Sequence, residues 1–193
     1  RRTGFGITAE GDMLAAMGLT YGSDEAIDFS VQVHKALACA AYRSSALMAK
    51  DRGSFPIYDS KLEENNPFIK RLKEADSELY KMMLENGRRN IALLTIAPTG
   101  SVSICTQTSS GIEPAFLVSY KRRRKVNPND SNAVISFYDK EGQAWEEYNV
   151  LHHKFAVWAE INGYDVKSLE KLPDAKLQKI IEKPPYNKAT ANN

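Results

Sequence analysis

The sequence predicts an α/β fold. Three observations carry that reading: helical periodicity over residues 23–52 and 68–86, a continuously apolar strand at 91–97, and a Pro-Thr-Gly-Ser turn directly after that strand. A strand so short and so evenly apolar suits a parallel sheet covered on both faces, and the turn that follows suits the end of such a strand.

The chain has the material for this architecture. Its 193 residues, 42% hydrophobic and 26% charged, suffice for one sizeable core or a large piece of one in a soluble, globular protein. A formal net charge of +2 neither demands nor excludes a polyanionic partner, so local clusters decide. The two cysteines, Cys39 and Cys105, lie far apart without a CxxC pair, which argues against a zinc site or a disulfide scaffold and for a reducing, cytoplasmic setting. No apolar run approaches the ~20 residues that cross a bilayer, and no charged-then-apolar leader opens the chain, so no membrane partner is expected. The start at Arg1-Arg2-Thr3 and the end at "KATANN" suggest a segment of a longer protein.

Taken in order, the glycine-rich opening holds a short helical pattern between Ala9 and Met17. Gly4-x-Gly6 lacks the preceding strand and third glycine of a dinucleotide fingerprint, so its glycines read as turn and packing residues. Ser23 is a suitable N-cap for a long helix, with Asp24 and Glu25 in the first turn and Gly53 just beyond the end. Ile27, Val31, His34, Ala38, Ala41, Ser45 and Met48 form its expected packing stripe, and His34 reads as an ordinary helix residue. Residues 53–67 form a connection punctuated by Gly53, Pro56, Asn65, Asn66 and Pro67. One helix over 68–86 then buries Phe68, Leu72, Leu79 and Met83, and Asn86-Gly87 stops it.

The turn after the strand is the candidate site. In α/β folds ligands gather beyond the carboxyl ends of strands, where the first amides of the next helix have no intrahelical partner. Pro98 stiffens the entry, Gly100 permits close approach, and Thr99, Ser101 and Ser103 offer hydroxyls. A phosphate there would be held mainly by backbone dipoles. No Gly-Lys-Ser/Thr follows, so this is not a Walker A loop, and spacing alone leaves a purely structural turn open. Further on, "TSSGIEP" reads as a rigid loop, because Pro114 disfavours helix at Glu113, and it leads into a strand "AFLVSY". The run Lys121–Lys125, five cations, is expected on a solvated edge or loop, offset by Asp139, Glu141, Glu146 and Glu147. Residues 127–147 read as turns with a short strand at 133–138. Residues 149–162 read as a helix with Val150, Leu151, Phe155, Trp158 and Ile161 on its apolar side, and 174–182 as a last amphipathic helix before Pro184-Pro185. His152 and His153, adjacent on a helix, diverge by about 100° and make a poor chelating pair.

Three stretches carry a family resemblance: "RRTGFGITAEGDMLAAMGLTYGSDEA", "GRRNIALLTIAPTGSVSICTQTSSGIEPAFLVSYKRR" and "PPYNKATANN". Together they resemble the catalytic subunit of ribonucleotide reductases, most of all the adenosylcobalamin-dependent, class II branch; "TIAPTGS…SSGIEP" is the most specific part. The resemblance implies a piece of a ten-stranded α/β barrel, with barrel helices, strands and a phosphate loop over 1–126 and a mainly helical insertion and connection over 127–193. It implies that Ala97, Pro98, Thr99, Gly100, Ser101, Val102 and Ser103 cradle the phosphates of a ribonucleoside di- or triphosphate. It also implies, for the complete enzyme, adenosylcobalamin, a thioredoxin-like reductant, contact with the remainder of the same polypeptide and a possible homodimer. The family's radical cysteine sits in an N-x-C-x-E-like motif, which is not found here, so neither Cys39 nor Cys105 takes a catalytic role and the isolated piece is expected to be inactive. Three other readings stand beside this one: a class I large subunit, a different phosphate-handling α/β enzyme with Glu113 as its one candidate acid, and a nucleic-acid-binding module built on Tyr120 and Lys121–Lys125.

Overall fold

The computed structural model describes residues 2–127, 129 and 133–184. Two compact units emerge: Arg1–Thr8 with Gly22–Thr99, and Ala9–Tyr21 with Gly100–Asn193. Helices and strands are mixed in both, in keeping with an α/β chain, and the described residues form two small sheets rather than a closed barrel.

In the first unit β1 (Arg2–Phe5) pairs in parallel with β2 (Ala92–Leu94). Between them lie α2 (Asp24–Arg52), α3 (Ser60–Glu63), α4 (Pro67–Ala75) and α5 (Ser77–Asn86); the short α1 (Glu10–Ala16) belongs to the second unit. The long helix begins and ends where its caps dictate. Ser23 accepts the Ala26 amide, and the amide of Gly53, at φ 76, closes on the Ala49 carbonyl. α2 packs against α4, α5 and β2. Tyr42, Ala46, Ile69, Leu72, Leu79, Met83 and Leu93 make the core, fixed on its polar side by a buried exchange between Ser45 and Asn90.

Three expectations change in this unit. The helix over 68–86 is two helices, because the Asp76 carboxylate accepts the Leu79 amide and starts a new helix where the first one ends. The stripe on α2 is turned: Ser45 is buried with Ala26, Tyr42, Ala46 and Ala49, whereas Ile27, Val31 and Met48 are exposed, since α4, α5 and β2 cover a different face. The strand at 91–97 shrinks to three residues, of which Leu93 alone is buried; with a single neighbouring strand, Ile96 is left 53% exposed.

The second unit contains α6 (Gly100–Thr106) and a three-stranded antiparallel sheet in the order β3 (Ser119–Lys125), β5 (Ala144–Leu151), β4 (Phe137–Tyr138). It continues through α7 (His153–Ile161), α8 (Val166–Leu169) and α9 (Asp174–Ile181). Its core joins Val118, Phe155, Ala159, Leu169, Leu177 and Ile181, with Trp158 stacked between Phe155 and Tyr164. Two expectations move here. The strand after the Glu113-Pro114 corner starts at Ser119 and runs through the basic residues themselves, where Arg123 and Arg124 face Glu147 and Glu146 across the ladder. Residues 144–151 form a strand instead of turns and a helix start, so α7 begins only at His153, and Ile161 lies 80% exposed. The stretch from Pro185 onward lies outside the described residues.

Candidate functional site

Pairing with β1 continues one residue past β2, where the Thr95 amide donates to the Phe5 carbonyl at 3.0 Å. Ile96, Ala97 and Pro98 follow without regular structure. Thr99 then adopts φ 48, a left-handed conformation that a β-branched residue enters at a cost of about 1–3 kcal/mol. Its hydroxyl lies 2.8 Å from that of Thr8, so the first strand's extension meets the turn.

Gly100 opens α6, a helix of two turns. A Cβ at Gly100 would meet no heavy atom within 4 Å, and its φ is not in the left-handed region. Neither crowding among the described residues nor backbone conformation therefore calls for glycine. Ser101 and Val102 are exposed, and the half-buried Ser103 turns its hydroxyl back to donate to the Gly100 carbonyl at 2.7 Å. The seven expected residues are thus consecutive: Ala97, Pro98 and Thr99 close the first unit, and Gly100, Ser101, Val102 and Ser103 start the second.

The far end of α6 leads into the "TSSGIEP" loop, which is anchored on Asp12, a residue that spacing had not singled out. Thr108 donates its amide to the Ser103 carbonyl at 3.1 Å, and the Thr106 and Thr108 hydroxyls lie 2.8 Å apart. Next, the Ser109 amide donates to Asp12 Oδ2 at 3.0 Å, and the Glu10 amide donates to the Gly111 carbonyl at 3.4 Å. Gly11 lies so close that a Cβ there would stand 2.5 Å from Pro114 Cα. Asp12, 7% exposed, also has His152 Nε2 at 3.6 Å from its Oδ1. Burial pulls the His152 pKa down, with the Asp12 carboxylate opposing. Glu113 itself is exposed. The one signal for Asp12 in the sequence is an acid set among the apolar residues of a short helix.

Three cations of the basic run, Lys121, Arg123 and Arg124, are paired with acids of β5 and α9. Arg123 donates to Glu147 at 2.7 Å, Arg124 to Glu146 at 2.5 Å, and Lys121 bridges Glu147 at 3.3 Å and Asp174 at 3.1 Å. Hydrogen bonds to Asp174 and Glu147 raise the Lys121 pKa, and those from Arg123 and Lys121 hold Glu147 below the usual carboxylate range. A solvated edge is what results, since β3 is an outer strand.

Cys39 is half-buried and lines a groove of about 420 Å³ between α2 and α4, which includes no residue of the 97–103 turn; Cys105 is exposed on α6. Among the described residues no three His, Cys, Asp or Glu side chains gather as a metal site, and no helix is long and apolar enough to cross a membrane.

A model of the ribonucleotide reductase barrel domain matches residues 1–179. The chain is 30% identical over 123 residues to the vitamin B12-dependent ribonucleoside-diphosphate reductase of Mycobacterium tuberculosis, covering 63% of this chain and 15% of that protein. It is 31% identical over 150 residues to the protein of the same name from Thermoplasma acidophilum, covering 73% and 17%. To the ribonucleoside-diphosphate reductase subunit alpha of Treponema pallidum it is 25% identical over 156 residues, covering 76% and 18%. The chain spans less than a fifth of the length of these relatives. With the match reaching from residue 1 to residue 179 of 193, the chain belongs to the ribonucleotide reductase barrel-domain family.

Proposed function

We propose that this chain is part of the catalytic subunit of a ribonucleotide reductase of the adenosylcobalamin-dependent branch. In this reading Ala97, Pro98, Thr99, Gly100, Ser101, Val102 and Ser103 cradle the substrate's phosphates. The complete protein would reduce ribonucleotides to 2′-deoxyribonucleotides by thiyl-radical chemistry in the cytoplasm, with a thioredoxin-like reductant. Relatives named for ribonucleoside diphosphates favour a diphosphate substrate. The open edges of β1 and β2 would be covered by strands from the remainder of the polypeptide, closing the ten-stranded barrel.

The observation that carries the phosphate assignment is Gly100. A glycine with an ordinary φ and open space around it is not explained by the chain's own packing, whereas an anion drawn close to the backbone would account for it. The exposed Ser101 beside it adds a hydroxyl donor.

Adenosylcobalamin, bound to the complete enzyme, supplies the radical-generating chemistry. The groove between α2 and α4, about 420 Å³, does not fit a corrin, and no residue of this chain is assigned to it. Similarity to an alpha subunit whose name carries no vitamin B12 supports a second reading, a class I large subunit. Whether the complete protein's activity depends on added cobalamin separates the two.

The test of the phosphate turn is Gly100→Leu in the complete protein with CDP as variable substrate. A rise in KM of roughly tenfold or more is expected, because the side chain fills the space an anion would take. An unchanged KM refutes the assignment.

A further inference from the structure

A chain of hydrogen bonds inside the second unit leads from Asp12 to the start of α6. The Asp12 carboxylate accepts the Ser109 amide at 3.0 Å, the Thr108 amide donates to the Ser103 carbonyl at 3.1 Å, and the Ser103 hydroxyl donates to the Gly100 carbonyl at 2.7 Å. The loop that carries Ser109 is held at two further points. Glu10 donates its amide to Gly111, and Gly11 packs against Pro114 with no room for a side chain. The same helix turn that supplies Glu10 and Gly11 therefore also sets Asp12 against the loop. His152 backs the carboxylate from the other side, and its amide donates to the Val118 carbonyl at 2.8 Å, just beyond the loop. Burying a carboxylate costs free energy that an apolar residue would not, so its place under Ser109 calls for a task beyond packing. A carboxylate accepting an amide is a charge-assisted hydrogen bond, stronger and more directional than a neutral one.

We infer that Asp12 is a positioning residue for the phosphate turn: by gripping the Ser109 amide it fixes the end of α6, and through Thr108 and Ser103 the place of Gly100 and Ser101. The inference rests on the phosphate-turn reading and deepens it, adding a residue from a helix distant in sequence that touches no substrate. Loss of the grip lets α6 shift as a body, which weakens nucleotide binding before it slows the chemistry.

The test uses the complete protein with CDP. Asp12→Ala and Asp12→Ser both remove the reach to Ser109, and each is expected to raise KM roughly tenfold with kcat changed less than about twofold. Asp12→Asn keeps an acceptor oxygen at the same distance and is expected to return KM to within about threefold of the parent. Gly100→Leu is run alongside. If it raises KM while Asp12→Ala and Asp12→Ser leave KM unchanged, the positioning inference is overturned and the phosphate turn stands. If Gly100→Leu leaves KM unchanged, the phosphate reading fails and the inference falls with it. A fall in kcat at constant KM in the Asp12 variants, an Asp12→Asn variant as impaired as Asp12→Ala, or failure of both truncations to fold also overturns it, the last by making Asp12 a folding residue only.

Discussion

Replacing Ser45 by Ala should destabilise the first unit out of proportion to the single oxygen removed. Ser45 is fully buried on α2; its hydroxyl donates to Asn90 Oδ1 at 3.0 Å and accepts the Asn90 amide at 3.0 Å, while its carbonyl accepts the Arg89 amide at 3.1 Å. The substitution spares the third bond and erases the first two, leaving a buried amide N–H and a buried side-chain carbonyl on a residue that is only 5% exposed. Each stranded group costs about 1–3 kcal/mol, so the loss is about 2–6 kcal/mol. Urea unfolding followed by far-ultraviolet circular dichroism reports it, because α2 is the longest helix. A loss of about 3 kcal/mol at a slope of ~2 kcal/mol per molar lowers the midpoint by roughly 1.5 M. Ser44→Ala, one position away and exposed, is the control and should stay within about 0.5 kcal/mol. Equal midpoints for the two variants would refute the reasoning, since they would mean that the Asn90 groups find other partners at no cost.

Other outcomes follow from the same geometry. Gly6→Ala places a Cβ 2.1 Å from the Thr95 carbonyl oxygen and should cost about 1–3 kcal/mol or more in a thermal melt; Gly100→Ala, with open space, should leave stability unchanged or raise it by up to about 1 kcal/mol. Arg88, 3% exposed, is ion-paired with Glu63 and ringed by Tyr42, Phe55 and Tyr58 at 5.2–5.8 Å. Arg88→Ala should cost about 3–5 kcal/mol in denaturant titration, and adding Glu63→Gln should recover part of it by removing the stranded charge. Acid should loosen both units. The Leu79 amide and Arg43 hold the Asp76 pKa below its usual range, and Arg123 and Lys121 do the same for Glu147. Both therefore bind protons more weakly folded than unfolded; their stabilisation is full above the ordinary carboxylate pKa and is lost as pH falls through the depressed values. Melts across acidic pH check this, and Asp76→Asn should flatten the profile.

Local signals in the sequence were reliable where the structure is local. α2 runs between Ser23 and Gly53 as its caps announce, and α9 ends within one residue of its expected bound. The break at Asp76 was also written locally, as an N-cap acid after Ala75, but the continuous apolar spacing of Leu72, Leu79 and Met83 masks it. What escaped is non-local. The sequence 144–151 becomes a strand because Glu146 and Glu147 face Arg124 and Arg123 across the ladder, a partnership that no window around Glu147 contains. The turn at 97–103 was legible as residue types; the left-handed Thr99, the open space at Gly100 and the anchorage on Asp12 were not, since each depends on where chain distant in sequence comes to rest.

The parallel ladder between β1 and β2 has a consequence for the order of assembly. Thr3 reaches Ala92 across 89 positions, and every helix of that unit is made in between. On a ribosome the first strand would emerge long before its mate and wait as an unzipped ribbon, while α2, α4 and α5 can already collapse on one another. The ladder is then a late seam sewn onto a finished helical layer, and chaperones or nascent neighbours would meet β1 before β2 does.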